Sequence, residues 1–104
     1  MYELFEYDFE NVVLEWDEEK EARNFKAHGI RFKTAAKVFL DPNMLIREDE
    51  EHTEELRFNI LGKVNKVLFV VCVFKDNNVI RLISARLASQ PERERYENGQ
   101  NEFE

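Results

Sequence analysis

The chain has one cysteine, two histidines, two prolines and three glycines in 104 residues. A single cysteine cannot close an internal disulfide, so packing alone must hold the fold, and a reducing compartment suits it. Cys72 sits inside an apolar run, where a thiol serves as a small buried hydrophobe. Three glycines leave no phosphate-cradling glycine loop. Two histidines far apart in sequence and one cysteine give no metal-ligand spacing, and neither metal nor cofactor is expected. No apolar run approaches the roughly 20 residues a membrane-spanning helix needs. The first residues are acidic where a secretory leader is basic and then apolar, so a cytoplasmic protein is expected. Repeats, low-complexity tracts and internal linkers are also lacking.

What is present suits one modest domain, with 43% apolar residues. The net charge of −7 speaks against a general nucleic-acid binder, but the charge is segregated. Residues 1–19 carry −8, residues 20–47 carry +5, residues 48–55 carry −6, residues 56–89 carry +5 and residues 90–104 carry −3. Two basic blocks thus alternate with acidic ones, and folding can bring them onto one face. Residues 1–11 read as an acidic, aromatic extension, either an added edge strand or an arm. Residues 12–97 read as the domain and residues 98–104 as a polar tail.

The stretch from Trp16 to Phe39 organises the reading. Residues 12–16 are rich in β-branched and aromatic residues and predict a first core strand. Asp17 then caps a helix reaching His28, which Gly29 stops. Lys20, Asn24 and His28 recur every four residues and form one polar stripe. Phe32, Ala35, Ala36 and Phe39 predict a second helix, ended by Asp41-Pro42. Trp16, Phe25, Phe32 and Phe39 are candidate core residues.

A strand over Met44–Arg47 follows, then an acidic loop containing His52. Residues 56–61 alternate so that Arg57 points away from the more apolar face. Residues 62–66 read as a turn, and the apolar run 67–74 reads as a strand covered on both faces. Asp76-Asn77-Asn78 suits a tight hairpin into a strand over Val79–Ala85, with Arg81 opposed to Ile80 and Leu82 and Arg86 at its end. Ser89 and Glu92 form a capping box around Pro91 and open a last helix to Glu97. The fold class is α+β: about four antiparallel strands plus an N-terminal strand, with two helices before the sheet and one after, grouped on one face.

One constellation remains for chemistry: Lys20 and His28 on the helix stripe with Arg57, Arg81 and Arg86 from the strands. RNA cleavage without a metal needs a base for the 2′-OH, cations for the phosphate and an acid for the leaving 5′-oxygen. Histidine titrates near neutrality, and arginine grips phosphate oxygens in pairs. Each residue also has an ordinary alternative. His28 can satisfy helix-terminal carbonyls, Lys20 can be a solvated helix residue, and Arg57 and Arg81 can be solvent-facing strand residues.

These residues fall in a recognisable pattern. Trp16-Asp17, Lys20, Asn24, His28-Gly29-Ile30, Phe32, Ala35, Val38-Phe39 and Asp41 resemble the BrnT family of bacterial toxins. So do Arg57 with Gly62, and the block Ile80-Arg81, Ile83-Ser84-Ala85-Arg86, Ala88, Glu92 and Tyr96-Glu97. The resemblance covers about residues 14–97. It implies a RelE-like fold and an endoribonuclease toxin of a type II toxin–antitoxin module. The implied partners are an RNA substrate and a BrnA-like ribbon-helix-helix antitoxin, with DNA met only through the antitoxin complex. Lys20, His28, Arg57, Arg81 and Arg86 fall on the family's recurrent polar positions, with Lys26, Arg57 and Arg81 as RNA-binding candidates. Three features depart from the pattern. Ala27 replaces the usual lysine before His-Gly, Leu56 replaces a glutamate, and the acidic start is longer. The first two favour an alternative reading, a catalytically inactive RNA- or antitoxin-binding module. The third suggests that the acidic arm lies over the basic face and weakens RNA binding.

Overall fold

The computed structural model describes residues 2–4, 11–50 and 55–99. The elements are β1 (Glu3–Leu4), β2 (Val13–Glu15), α1 (Glu18–His28), α2 (Phe32–Ala35), a 3-10 segment (Ala36–Leu40), β3 (Leu45–Glu48), β4 (Arg57–Val64), β5 (Lys66–Lys75), β6 (Val79–Leu87) and α3 (Gln90–Glu97). The strands form one sheet in the order β1-β3-β4-β5-β6-β2. The four central strands are the expected antiparallel set. The N-terminal strand pairs with β6 in parallel, so the sheet is mixed. No hairpin joins β2 to β6, and nothing local forces them to run opposite ways.

Sequence chemistry accounts for the local structure. Asp17 Oδ1 accepts the Lys20 amide at 3.0 Å and starts α1. Gly29, at φ 71°, ends it, donating its N–H to Phe25 O. Asn77 and Asn78 both take positive φ in the β5–β6 turn, as a primed hairpin turn requires. The β4–β5 connection is tighter than expected. Strands continue to Val64 and restart at Lys66, with only Asn65 (φ 65°) turning. Gly62 is therefore a strand residue, not a turn residue.

The main core lies between one sheet face and the helices. Phe32, Ala35, Val38 and Phe39 meet Ile60, Val70, Cys72, Ile80, Leu82 and Ala85 there. Val38 passes so close to Gly62 that a Cβ at that position would lie 2.6 Å from the Val38 Cβ. The expected second helix keeps its apolar spacing but tightens to 3-10 geometry after Ala35. Trp16 packs edge-on against Phe32, with ring centroids 6.1 Å apart. Phe25 is not core: its ring is exposed and lies under the Arg31 guanidinium at 3.7 Å.

The third helix corrects another expectation, because it packs on the opposite face. Tyr2, Leu45, Leu61, Val67 and Ala88 form a smaller core there, flanked by Phe69 and Tyr96. Tyr96 Oη donates to Asp41 at 2.6 Å and ties α3 to the end of β4, where the same carboxylate accepts the Lys63 amide at 2.7 Å. Of the tail, Gly99 is buried against Leu45. Of the acidic start, β1 pairs with β3 and Tyr2 is buried. Residues 5–10, His52 and residues 100–104 lie outside the described residues. Among the described residues no helix is long and apolar enough to cross a membrane.

Candidate functional site

α3 covers only part of its sheet face, and a charged surface occupies the rest. Its geometry follows from register. Arg57 and Arg81 both stand opposite Val73, from either side of β5. Two strand spacings separate them, so their Cα atoms are about 9.6 Å apart. Glu15 on β2 stands opposite Arg81 and extends the same row. One row along, Arg47 stands opposite Asn59, and beyond that Arg86 stands opposite Phe69.

Arg81 and Arg86 are five residues apart, which in a regular strand puts them on opposite faces. They share a face because β6 carries a bulge. Val71 pairs with Ser84 and Cys72 with Leu82, so Ile83 is the extra residue. The inserted residue shifts the alternation by one. Leu82 and Ala85 both enter the helix-side core while the two arginines point the other way.

α1 docks beside this strand by polar contacts. Its buried residues are Glu21 and Asn24, while Ala22, Phe25 and Ala27 are exposed. Asn24 donates to Ala85 O at 2.9 Å and to Ile30 O at 3.0 Å, and accepts from Ala85 N at 3.0 Å. Glu21 accepts from the Phe32 amide at 3.0 Å and from Arg31 at 3.2 Å. The middle of the expected polar stripe is thus a buried clamp. Lys20 and His28 flank it one turn to either side.

The two ends of the stripe differ. Lys20 lines a cavity of about 290 Å³ together with Glu15, Trp16, Asp17, Arg81, Leu82 and Ile83. β2 stops at Glu15, and Lys20 approaches the Arg81 row around that end. His28 lies about 12 Å further along the helix axis and does not line this cavity. It is exposed and makes no side-chain hydrogen bond among the described residues, so it satisfies no helix-terminal carbonyl. Lys26 is two residues beyond Asn24, about 200° around the helix, and faces away from β6.

The arginines are held by acids. Arg57 Nε donates to Glu55 at 3.0 Å. Arg81 Nε donates to Glu15 Oε1 at 3.3 Å, and Lys75 Nζ donates to the same oxygen at 2.8 Å. The hydrogen bond from Lys75, reinforced by Arg81, holds the Glu15 carboxyl below the usual glutamate range. Asp17 is likewise lowered, chiefly by the Lys20 backbone N–H it caps. Arg86 makes two bonds to Glu92, at 2.7 and 3.0 Å, and lies 4.1 Å over the Phe69 ring. The bond to Glu92 raises the Arg86 pKa further. For Glu92, burial works upward, but hydrogen bonds from Arg86 and Ser89 outweigh it and leave the carboxyl lowered. Arg86 therefore fastens α3 to the sheet.

The structure brings together Lys20, Arg81 and, across Val73, Arg57. It does not bring His28 or Lys26 into the same cavity. Two participants were missed in the sequence, Glu15 and Lys75. Glu15 precedes Trp16 at a strand end, and Lys75 ends an apolar run. Only the register of β2, β5 and β6 makes them neighbours. Among the described residues no three His, Cys, Asp or Glu side chains cluster as metal ligands.

A family model described as ribonuclease toxin, BrnT, of type II toxin–antitoxin system matches residues 16–92. Among solved structures, the crystal structure of the Brucella abortus ribonuclease toxin BrnT is similar. Identity is 24%, over 76% of this chain and 99% of that one, with a TM-score of 0.59. At that identity the likeness speaks for the fold. No curated protein matches.

Proposed function

The chain belongs to the BrnT family of ribonuclease toxins of type II toxin–antitoxin systems, and we propose that its RNA site is the cavity and arginine row at the β2–β6 edge. The observation that carries this reading is the meeting of Lys20 and Arg81 in one cavity from elements 61 residues apart. Arg57 and Arg81 stand at a spacing that lets them grip successive backbone oxygens, each presenting a planar fork of donors. Both are partly exposed, with surface acids that an RNA phosphate can displace. In this reading the cations stabilise charge developing at phosphorus as the 2′-oxygen attacks, and no metal takes part. Toxicity follows from loss of cellular RNA and of translation.

Family membership brings an antitoxin partner. We assign it the BrnA-like ribbon-helix-helix type, contacting DNA on behalf of the complex, and we place both proteins in the cytoplasm. Residues 1–11 are proposed as an extension of the domain at 12–97.

Expression without the partner gene is expected to arrest growth. Arg57→Ala or Arg81→Ala should abolish the arrest while circular dichroism and antitoxin binding stay as in the wild type. Full toxicity of both variants would remove the assignment.

A further inference from the structure

We propose that Glu15 is the general base of the cleavage reaction, an assignment that rests on the ribonuclease reading above. A base must lie within hydrogen-bond reach of the 2′-OH while the cations hold the adjacent phosphate. The cavity offers two carboxylates, Glu15 and Asp17, and one amine, Lys20. Asp17 is committed as the cap of α1. Lys20 is a hydrogen-bond donor that lines the same cavity, and so suits the acid. His28, the usual choice of residue type, lies outside the cavity. Glu15 is 38% exposed, stands beside Arg81 in register, and reaches its two cations through Oε1 alone. Its Oε2 has no hydrogen bond among the described residues.

The ion pairs explain how one carboxylate serves two states. Without RNA, Glu15 occupies the position of an anion between Lys75 on β5 and Arg81 on β6, with Lys20 of α1 and the capping residue Asp17 lining the same cavity. A bound phosphodiester draws Arg81 and Lys75 to its own oxygens. Glu15 then loses the cations that suppressed its basicity and regains proton affinity at the moment it is needed. In the step itself, Glu15 takes the proton of the 2′-OH, and the 2′-oxygen forms a bond to phosphorus. The bond from phosphorus to the 5′-oxygen breaks, and Lys20 gives that oxygen a proton. The products are a 2′,3′-cyclic phosphate and a 5′-hydroxyl, and solvent returns both side chains to their starting protonation.

The pH profile separates this base from His28. A carboxylate lowered by two cations is deprotonated throughout the neutral range. For the wild type, kcat/KM should therefore be flat from about pH 5 to 8, with its rising limb below the ordinary glutamate value of about 4.3. A histidine base gives a limb near 6.5 instead. The experiment measures cleavage of a short RNA across pH by the wild type, Glu15→Gln and His28→Ala. Affinity is measured with the same RNA made uncleavable by 2′-deoxy substitution.

Glu15→Gln should lose about 100-fold or more in kcat. It should bind the uncleavable RNA as tightly or more tightly, since a competing anion is gone. His28→Ala should keep the flat profile. Wild-type cleavage by Glu15→Gln overturns the proposal, as does a limb near 6.5 that vanishes in His28→Ala. Weaker binding by Glu15→Gln with unchanged kcat reduces Glu15 to a residue that positions Arg81, and also overturns it. A wild-type protein that cleaves no RNA at any pH removes the ribonuclease reading itself, and the base with it.

Discussion

Asn24 uses one side-chain amide for three hydrogen bonds, two of them to the buried backbone of Ala85. In sequence it is a polar helix residue midway between Lys20 and His28, indistinguishable from its solvated neighbours. The structure makes it the clamp that holds the helix against β6. Truncation leaves a donor and acceptors without partners in a dry interface, where each unmet group costs about 1–3 kcal/mol. Asn24→Ala is expected to lose about 3 kcal/mol of stability, read as a lower urea midpoint at unchanged m value. Asn24→Asp should fare little better, because its carboxylate faces the carbonyls of Ile30 and Ala85. An unchanged midpoint in both would mean that α1 is held by other contacts.

Two irregularities of the strands set the site. The bulge at Ile83 places Arg81 and Arg86 on one face. The close pass of Val38 over Gly62 seats the 3-10 segment on β4. Gly62 has no unusual backbone conformation, so its requirement is space alone. A methyl group there must displace the fully buried Val38. Gly62→Ala is expected to destabilise by about 1–3 kcal/mol. Adding Val38→Ala should recover part of that loss, giving a non-additive double-mutant cycle in thermal or urea unfolding. Strict additivity would show that the two residues do not press on each other.

For the whole molecule, the sign of the net charge misleads. A chain of net charge −7 concentrates Arg47, Arg57, Lys75, Arg81 and Arg86 on one sheet face. Single-stranded RNA releases counterions from each phosphate a cation engages, giving a slope of about −0.7 per contact in log K against log salt. With Lys20, Arg57, Lys75 and Arg81 engaged, the slope for uncleavable RNA should be about −3, and Arg81→Ala should reduce it by about 0.7. Affinity independent of salt would place binding elsewhere.

Much of the architecture was legible because it rests on short-range rules. The cap at Asp17, the stop at Gly29, the asparagine turn before Val79 and the capping box at Ser89 act within a few residues of themselves. Alternation along β4 likewise placed Arg57 correctly relative to the core. The parallel pairing of β2, the opposite-face position of α3 and the bulge in β6 are long-range choices, settled by which surfaces bury most together. The candidate site depends on them. Residue types and family pattern singled out Lys20, His28, Arg57, Arg81 and Arg86 as candidates, and the structure brings Lys20 and Arg81 into one cavity. Strand register alone joined Glu15 and Lys75 to Arg81, because a cross-strand neighbour is decided by hydrogen-bond pairing between segments that local sequence does not connect. His28 was set apart by the helix itself, which carries it about two turns beyond Lys20 and out of the cavity.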